Sequence, residues 1–178
     1  KIYETYVGAV FMLRVRKQIG VTEELIDSLP ENTVTVAVLD SGIANHPDLS
    51  GKVIAFADFV SGRKQPYDDN GHGTHVCGII CGSGRMSDGK YCGIAPQIKL
   101  VVGKVLNQKG EGSANHMIMG LRWIANICDT YNIRILNISV GIGELKESSK
   151  EEELQKELEA LWNRGITIVC AAGNKGPD

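Results

Sequence analysis

Three polar clusters in the sequence contain side chains that could take part in acid–base chemistry. Asp40 ends the apolar run at residues 33–39, and Asn174 follows the apolar run at residues 166–170 through three small residues. His72 lies between two glycines and is followed by an apolar run that predicts a buried helix. An imidazole that is oriented by a carboxylate can act as a general base, and an amide can donate to a developing oxyanion.

Each cluster also has an ordinary structural interpretation. Asp40 could cap a helix or form a turn, and Asn174 after a glycine could form a turn. His72 and His75 could bind a metal as a pair, although the His-Glu-x-x-His pattern of a zinc-binding helix is absent. No cluster alone distinguishes a catalytic role from a structural one. The strands and helices that are predicted around the clusters therefore also bear on the choice.

Apolar strands alternate with helices along the chain. Strands are predicted at residues 33–39, 53–56, 99–106, 133–138 and 166–170. Helices are predicted from His72 onward and after the caps Thr22 and Ser113, and a last helix is predicted with the acidic run 151–153 in its first turn. The last of these helices has Leu154, Leu158, Leu161 and Trp162 on one apolar face. This order predicts an α/β fold of three layers, a mostly parallel sheet with helices on both faces, whose ligands bind at the carboxyl ends of the strands.

The composition favours a globular domain and excludes several functions. The 178 residues are 43% hydrophobic and 22% charged, and the net charge is −2 with both signs mixed along the chain. Such a chain has no basic patch for nucleic acid or for an anionic membrane. No apolar run reaches the length that spans a bilayer. We therefore expect neither nucleic acid nor a membrane as a partner.

The five cysteines indicate free thiols. Their number is odd, and Cys77 and Cys81 share a helix face at a spacing that does not favour a disulfide. The sequence contains no CxxC pair, so we expect no zinc site. Together with the lack of a signal-peptide pattern, free thiols favour a reducing, cytoplasmic location.

Five motifs, in order, resemble those of the subtilisin-like serine peptidases, the subtilase family. They are the segments 36–43 around Asp40, 46–49, 71–78 around His72, 136–141 and 171–174, with Cys77 where the family usually has Ala. The resemblance runs from about Val34 to the last residue. The expected organisation is therefore an unassigned lead segment at residues 1–32 and a partial subtilisin-like peptidase domain at residues 33–178.

The resemblance implies a role for each matching residue. His72 resembles the general base, Asp40 the carboxylate that orients it, and Asn174 the oxyanion donor. Two segments resemble those that pair with an extended polypeptide substrate, namely Gly110, Glu111 and Gly112, and Ser139, Val140 and Gly141. Ala171, Ala172 and Gly173 resemble the wall of the pocket for the side chain before the cleaved bond.

The family's nucleophile has no counterpart in these 178 residues, because the Gly-Thr-Ser-Met-Ala motif is absent. The resemblance thus implies a serine endopeptidase whose Ser lies beyond this chain, and a fold that is incomplete at the C-terminus. We expect the chain alone to be inactive and to self-associate or to pair with the missing portion. The alternative is a non-catalytic subtilase-like protein that binds peptides or regulates an active relative.

The family's strong calcium site is expected to be absent, so no cofactor is predicted. Asp48 matches a carboxylate ligand of that site. The loop at residues 82–89 places Arg85 near the expected position of an oxygen ligand, and Asp88 could compensate only in part. Calcium requires six to eight oxygen ligands, and the sequence offers too few.

Overall fold

Five parallel strands form the sheet of this fold. The structure is a computed structural model that describes residues 14–28, 30, 34–140 and 148–172. The strands are β1 (Thr35–Asp40), β2 (Val53–Asp58), β3 (Lys99–Lys104), β4 (Ile133–Ile138) and β5 (Thr167–Cys170). They lie in the order β2-β3-β1-β4-β5, and every neighbouring pair is parallel. The predicted parallel sheet is confirmed.

Helices connect these strands. The α-helices are α1 (Glu23–Ser28), α2 (His72–Cys81), α3 (Ala114–Ile127) and α4 (Ser148–Asn163), residues 14–18 are also helical, and short 3-10 helices cover Pro47–Leu49 and Arg85–Ser87. The predicted caps are confirmed, since Thr22 Oγ1 accepts from the Leu25 amide and Ser113 Oγ from the His116 amide, both at 3.1 Å. Among the described residues, no helix combines the length and apolar character that crossing a membrane requires.

Both faces of the sheet are covered, which gives the fold its three layers. One face packs Val36, Val38, Leu100 and Val102 against Cys77 and Cys81 of α2. The other packs Ala37, Leu39 and Val101 against Leu121 and Ile124 of α3 and Leu154 and Leu161 of α4. Successive residues of a strand point to opposite faces, so the central strand β1 is buried along its whole length.

The apolar face of α4 is narrower than predicted. Leu154 and Leu161 are buried and Leu158 packs against them, but Trp162 is 63% exposed. Trp162 follows Leu161 directly and is therefore rotated about 100° around the helix axis. The prediction that Trp162 belongs to the buried face was wrong.

The order of the strands identifies one end of β1 as a position for a site. From β1 the chain first builds β2 and β3 on one side and then β4 and β5 on the other. In sheets of this kind, ligands bind beyond the carboxyl end of the strand where the order reverses. Asp40 is the last residue of β1 and lies at that position.

Candidate active site

Asp40 is a buried carboxylate at the carboxyl end of β1. Its side chain is fully buried, and its Oδ1 accepts a hydrogen bond from the Ser41 amide at 2.7 Å. The same oxygen lies 2.7 Å from Nδ1 of His72. The other oxygen, Oδ2, is buried and has no hydrogen-bond partner among the described residues. The buried carboxylate of Asp40 is thus in contact with the imidazole of His72.

His72 begins α2, directly after Gly71, whose φ of 99° places it in the left-handed region. The His72 side chain is 46% exposed. A carboxylate can only accept hydrogen bonds, so the contact with Asp40 places the proton on Nδ1 and leaves the Nε2 lone pair available. The geometry is that of a general base with a fixed tautomer.

Two glycines bring the start of α2 against the end of β1. A Cβ atom on Gly73 would lie only 2.3 Å from the carbonyl oxygen of Gly42, and a Cβ atom on Gly42 would lie 2.1 Å from the carbonyl oxygen of Tyr67. Gly42 also has a φ of +115°, which side chains rarely allow. This close backbone approach makes the short contact between His72 and Asp40 possible.

Asp68 organises the loop that precedes His72. Its Oδ1 accepts from the Ser41 hydroxyl and from the Asn70 and Gly71 amides, and its Oδ2 accepts from the amide and the hydroxyl of Thr74, all at 2.5–3.1 Å. Partial burial opposes ionisation of this carboxyl group. The hydrogen bonds, led by the Thr74 hydroxyl, outweigh burial and lower the pKa of Asp68 to about 2. Asp68 is therefore an anion around which the turn into α2 is folded.

The sequence analysis assigned no role to Asp68. A signal was present, since the run Asp68-Asp69-Asn70-Gly71 directly precedes a helix. Asp and Asn side chains in such runs accept from backbone amides a few residues later, and an anion is favoured at a helix N-terminus.

The predicted substrate-binding residues within the described part of the chain lie at the same edge as Asp40. Gly110, Glu111 and Gly112 lie in the loop after β3, where Leu106 and Gly112 form an antiparallel bridge. Ser139 and Val140 follow β4, and the exposed Ala171 and Ala172 follow β5. Gly141, Gly173 and Asn174 lie outside the described residues. The structure thus brings Asp40 and His72 into contact and places these segments at neighbouring strand ends, while their binding roles remain predictions.

A hydrogen bond joins the loop before His72 to the loop after β3. The side-chain amide of Asn70 donates to the carbonyl oxygen of Gln108 at 3.1 Å. The second loop is braced internally, because Asn107 Oδ1 accepts from the amides of Lys109 at 2.8 Å and Glu111 at 3.1 Å. This hydrogen bond therefore links the loop before His72 to the predicted substrate-binding loop after β3.

Asp48 accepts hydrogen bonds from the loop at residues 82–89. Asp48 Oδ1 accepts from the Ser83 hydroxyl at 3.2 Å and from the Met86 amide at 2.9 Å. Both donors thus meet the same carboxylate oxygen. Nowhere among the described residues do three His, Cys, Asp or Glu side chains group so that they could hold a metal ion.

An apolar groove of about 480 Å³ lies beside α2. His75, Gly78 and Ile79 line it from the helix, Gly82 lines it directly after the helix, and Ala44 and Leu49 line it from the segment after β1. His75 therefore lies in the groove, whereas His72 is held by Asp40.

All five cysteines lie in the described part of the chain, where they carry free thiols. Cys77, Cys81 and Cys128 are buried, Cys92 is half-buried and Cys170 is exposed. Burial raises the pKa of the Cys77 thiol, and it raises the pKa of Cys81 to about 12. The two thiols of α2 are thus protonated packing residues at neutral pH.

Comparison with known proteins identifies one family. Residues 31–178 match the model of the subtilase family. The serine protease AprX of Bacillus subtilis (strain 168) is 44% identical over 153 residues, which are 82% of this chain and 34% of that protein. Subtilisin Savinase of Lederbergia lenta is 38% identical over 143 residues, which are 80% of this chain and 48% of that protein.

Solved structures give the same result. A psychrophilic protease designated S41 has a TM-score of 0.70 and 32% identity, covering 82% of this chain and 47% of that one. A cold-adapted subtilisin-like serine proteinase has a TM-score of 0.62 and 32% identity, covering 80% of this chain and 47% of that one. The chain therefore spans about one third to one half of the length of these relatives.

Proposed function

Because this chain belongs to the subtilase family, we propose that it supplies the general base and its orienting carboxylate to a serine endopeptidase. The observation that carries this proposal is the 2.7 Å contact between His72 Nδ1 and the buried Asp40 Oδ1. That contact leaves Nε2 on an imidazole that is 46% exposed and can meet a nucleophile.

In the proposed reaction, Nε2 of His72 takes the proton from a serine hydroxyl as its oxygen attacks the peptide carbonyl. The serine lies beyond these 178 residues. Asp40 stabilises the imidazolium that forms, and His72 then gives the proton to the leaving amine as the peptide bond breaks. The side-chain amide of Asn174 donates to the oxyanion of the tetrahedral intermediate. Water releases the acyl group by the same sequence of proton transfers.

The proposed substrate is an extended polypeptide. Its backbone would pair with Gly110, Glu111 and Gly112 on one side and with Ser139, Val140 and Gly141 on the other, as an added strand. The side chain before the cleaved bond would enter a pocket walled by Ala171, Ala172 and Gly173. The side-chain amide of Asn137 donates to the Ser139 hydroxyl at 2.7 Å, which supports a fixed conformation at the start of the second segment.

The apolar surfaces of this chain support a polypeptide partner. Ile79 in the groove beside α2 is 38% exposed, and Val169 of β5 is 48% exposed. We propose that further polypeptide of the same peptidase covers both, and that residues 1–178 alone self-associate. Light scattering of the isolated chain should then give a mass above 19.3 kDa. A stable monomer that melts cooperatively would contradict this proposal.

We propose that this part of the peptidase uses no metal cofactor. The two donors to Asp48 Oδ1, the Ser83 hydroxyl and the Met86 amide, support that proposal. The free thiols support a reducing, cytoplasmic compartment.

Two histidines on one helix provide the test of the peptidase function. In the complete protein that carries this chain, His72→Ala should abolish cleavage of a peptide amide, because the base is lost. His75→Ala removes an imidazole that does not contact Asp40, and should leave most of the activity. A wild-type protein that binds peptides without cleaving them would instead establish the non-catalytic alternative.

A further inference from the structure

A fully buried lysine lies beside the Asp40–His72 pair. Lys104 ends β3, and none of its side chain is accessible to solvent. Its Nζ donates to the carbonyl oxygen of Ser41 at 2.6 Å, to Asp69 Oδ1 at 2.6 Å and to the carbonyl oxygen of Leu106 at 2.8 Å. The ring of Tyr67 lies 4.9 Å from the same nitrogen.

The ammonium is saturated by these contacts. It has three N–H donors, and three acceptors surround it. A guanidinium could not repeat this arrangement, because its donors lie in a plane. A buried ion pair is a weak source of stability, since desolvation of both charges opposes it. The position of this lysine therefore calls for an explanation other than stability.

The three acceptors belong to three segments of the candidate site. Ser41 follows Asp40, Asp69 lies in the loop before His72, and Leu106 lies in the loop that leads from β3 to the predicted substrate segment. Within the sheet, Lys104 is in register with Asp40 of β1 and with Asp58 of β2. The Lys104 ammonium thus joins the end of β1, the loop before His72 and the loop after β3.

We propose that Lys104 is a positioning residue for the Asp40–His72 pair. Its ammonium fixes the distance between the end of β1 and the loop before His72, so that Nδ1 meets the carboxylate at hydrogen-bonding distance. Asp69 completes this arrangement. Its carboxylate, which is 40% exposed, forms an ion pair with the ammonium and so holds the loop before His72 against Lys104. This inference rests on the proposed peptidase function for its kinetic test.

The charges around the ammonium predict a specific electrostatic signature. Asp69 faces it from the base loop, Asp40 and Asp58 flank it in the neighbouring strands, and Arg63 lies over the Tyr67 ring at 4.4 Å. Removal of the cation leaves the carboxylates of Asp40 and Asp69 without its opposing charge, so a positive charge beside them is better stabilised. Removal of the Asp69 charge acts in the opposite direction.

The experiment compares three variants of the complete protein. Lys104→Met removes the charge and the donors and keeps an unbranched side chain that is one atom shorter. Asp69→Asn keeps an acceptor but removes the negative charge. Lys99→Met is the control, because Lys99 lies at the other end of β3 and its Nζ donates to the exposed Gly51 carbonyl at 2.8 Å. The measurements are kcat and KM on a peptide amide, the acid limb of the kcat/KM profile, and the melting temperature.

Lys104→Met should lower kcat by about 10- to 100-fold with little change in KM, because the base is displaced rather than the substrate. Its acid limb should move to higher pH, and that of Asp69→Asn to lower pH. Lys99→Met should match the wild type. Equal kcat and equal acid limbs in Lys104→Met and Lys99→Met would overturn the inference. So would a KM effect alone, which would assign Lys104 to substrate binding.

A second measurement separates this inference from the peptidase function. Proton NMR of the Nδ1–H of His72 reports its hydrogen bond to Asp40 whether or not the protein cleaves peptides. If the wild type is inactive but the signal moves in Lys104→Met and not in Lys99→Met, the proposed function fails and the positioning role stands. An unchanged signal in Lys104→Met overturns the positioning role. Should Lys104→Met fail to fold, Asp69→Asn carries the same test, because the two carbonyl contacts of the ammonium remain.

Discussion

The carboxyl edge of the sheet differs between its base side and its β5 side. The base side consists of Asp40, His72, Asp68 and Lys104, and the β5 side consists of residues 167–172. On the base side, Asp40 and Lys104 are fully buried and short hydrogen bonds join the segments that carry these residues. On the β5 side, Val169 is almost half exposed and the two following alanines are exposed.

The difference follows from where each side finds its neighbours. β1 lies between β3 and β4 and is covered on both faces. β5 pairs with β4 and is the last strand of the described sheet. Asp40 and His72, the proposed proton-transfer pair, both lie in the described part of this chain. Under the proposed function the nucleophile lies in additional polypeptide, whereas the proposed oxyanion donor, Asn174, belongs to this chain.

The largest effect is expected from breaking the contact at the centre of the base side. Asp40→Asn keeps the shape of the side chain but offers His72 a donor or a neutral acceptor, which favours the wrong tautomer. We expect kcat of the complete protein to fall by about 10⁴-fold, the loss known for this replacement in another Ser-His-Asp enzyme. Asp129→Asn, which alters an exposed carboxylate near the end of α3, is the control. A loss of less than about tenfold would remove Asp40 from the mechanism.

A methyl group between β1 and α2 should have the next largest effect. Gly73→Ala places a Cβ atom 2.3 Å from the Gly42 carbonyl oxygen, so the helix must move away from the strand. We expect a loss of about 1–3 kcal/mol in the free energy of unfolding, the range of overpacked sites. Urea unfolding of the 178-residue chain measures it.

Gly78→Ala in the same helix is the matched control, because a Cβ atom there meets nothing within 4 Å. Its better helix propensity should add up to about 1 kcal/mol in the 178-residue chain. Equal destabilisation by both replacements would show that the close approach at Gly73 is unimportant. In the complete protein, a cost at Gly78 would indicate that the groove beside α2 is filled.

A smaller effect, dependent on pH, is expected from Asp68. Its pKa is lowered from 3.8 to about 2, so the folded state favours the carboxylate. The stability that Asp68 contributes is therefore complete above the unfolded pKa and is lost as pH falls towards 2. Asp68→Asn should be less stable than the wild type at neutral pH and should lose less stability on acidification. Parallel curves of unfolding free energy against pH for the two proteins would refute this role.

The smallest effect concerns thiol reactivity, which compares the two sides directly. In the native 178-residue chain, Cys170 on the β5 side should react first with a thiol reagent. Cys77 and Cys81 should react last, because burial hides them and raises their pKa. Mass spectrometry of partly labelled peptides gives the order, and denatured chain without reductant should label at all five cysteines. Early labelling of Cys77 would mean that α2, which begins at His72, separates easily from the sheet.

The sequence predicted those features that depend on apolar runs and on short motifs. An apolar run ends at Asp40 and another follows His72. The end of β1 and the start of α2 were therefore located correctly. The role of Lys104 could not be predicted, because a lysine at a strand end usually points to solvent. Two of its partners are backbone carbonyl oxygens, which have no sequence signature. Trp162 was misplaced because helical spacing gives a face but not its width.

The central place of β1 also determines when the site can form. Its partners in the sheet begin at Lys99 and Ile133, about 60 and about 100 residues later in the chain. Contacts that are so distant in sequence form slowly, because the entropy cost of closing a long loop precedes the favourable free energy of the contacts. At ~5–20 residues per second, a ribosome delivers the second partner ~5–20 s after β1. The sheet around β1 is therefore completed late in synthesis, after the segment that carries His72 has been made.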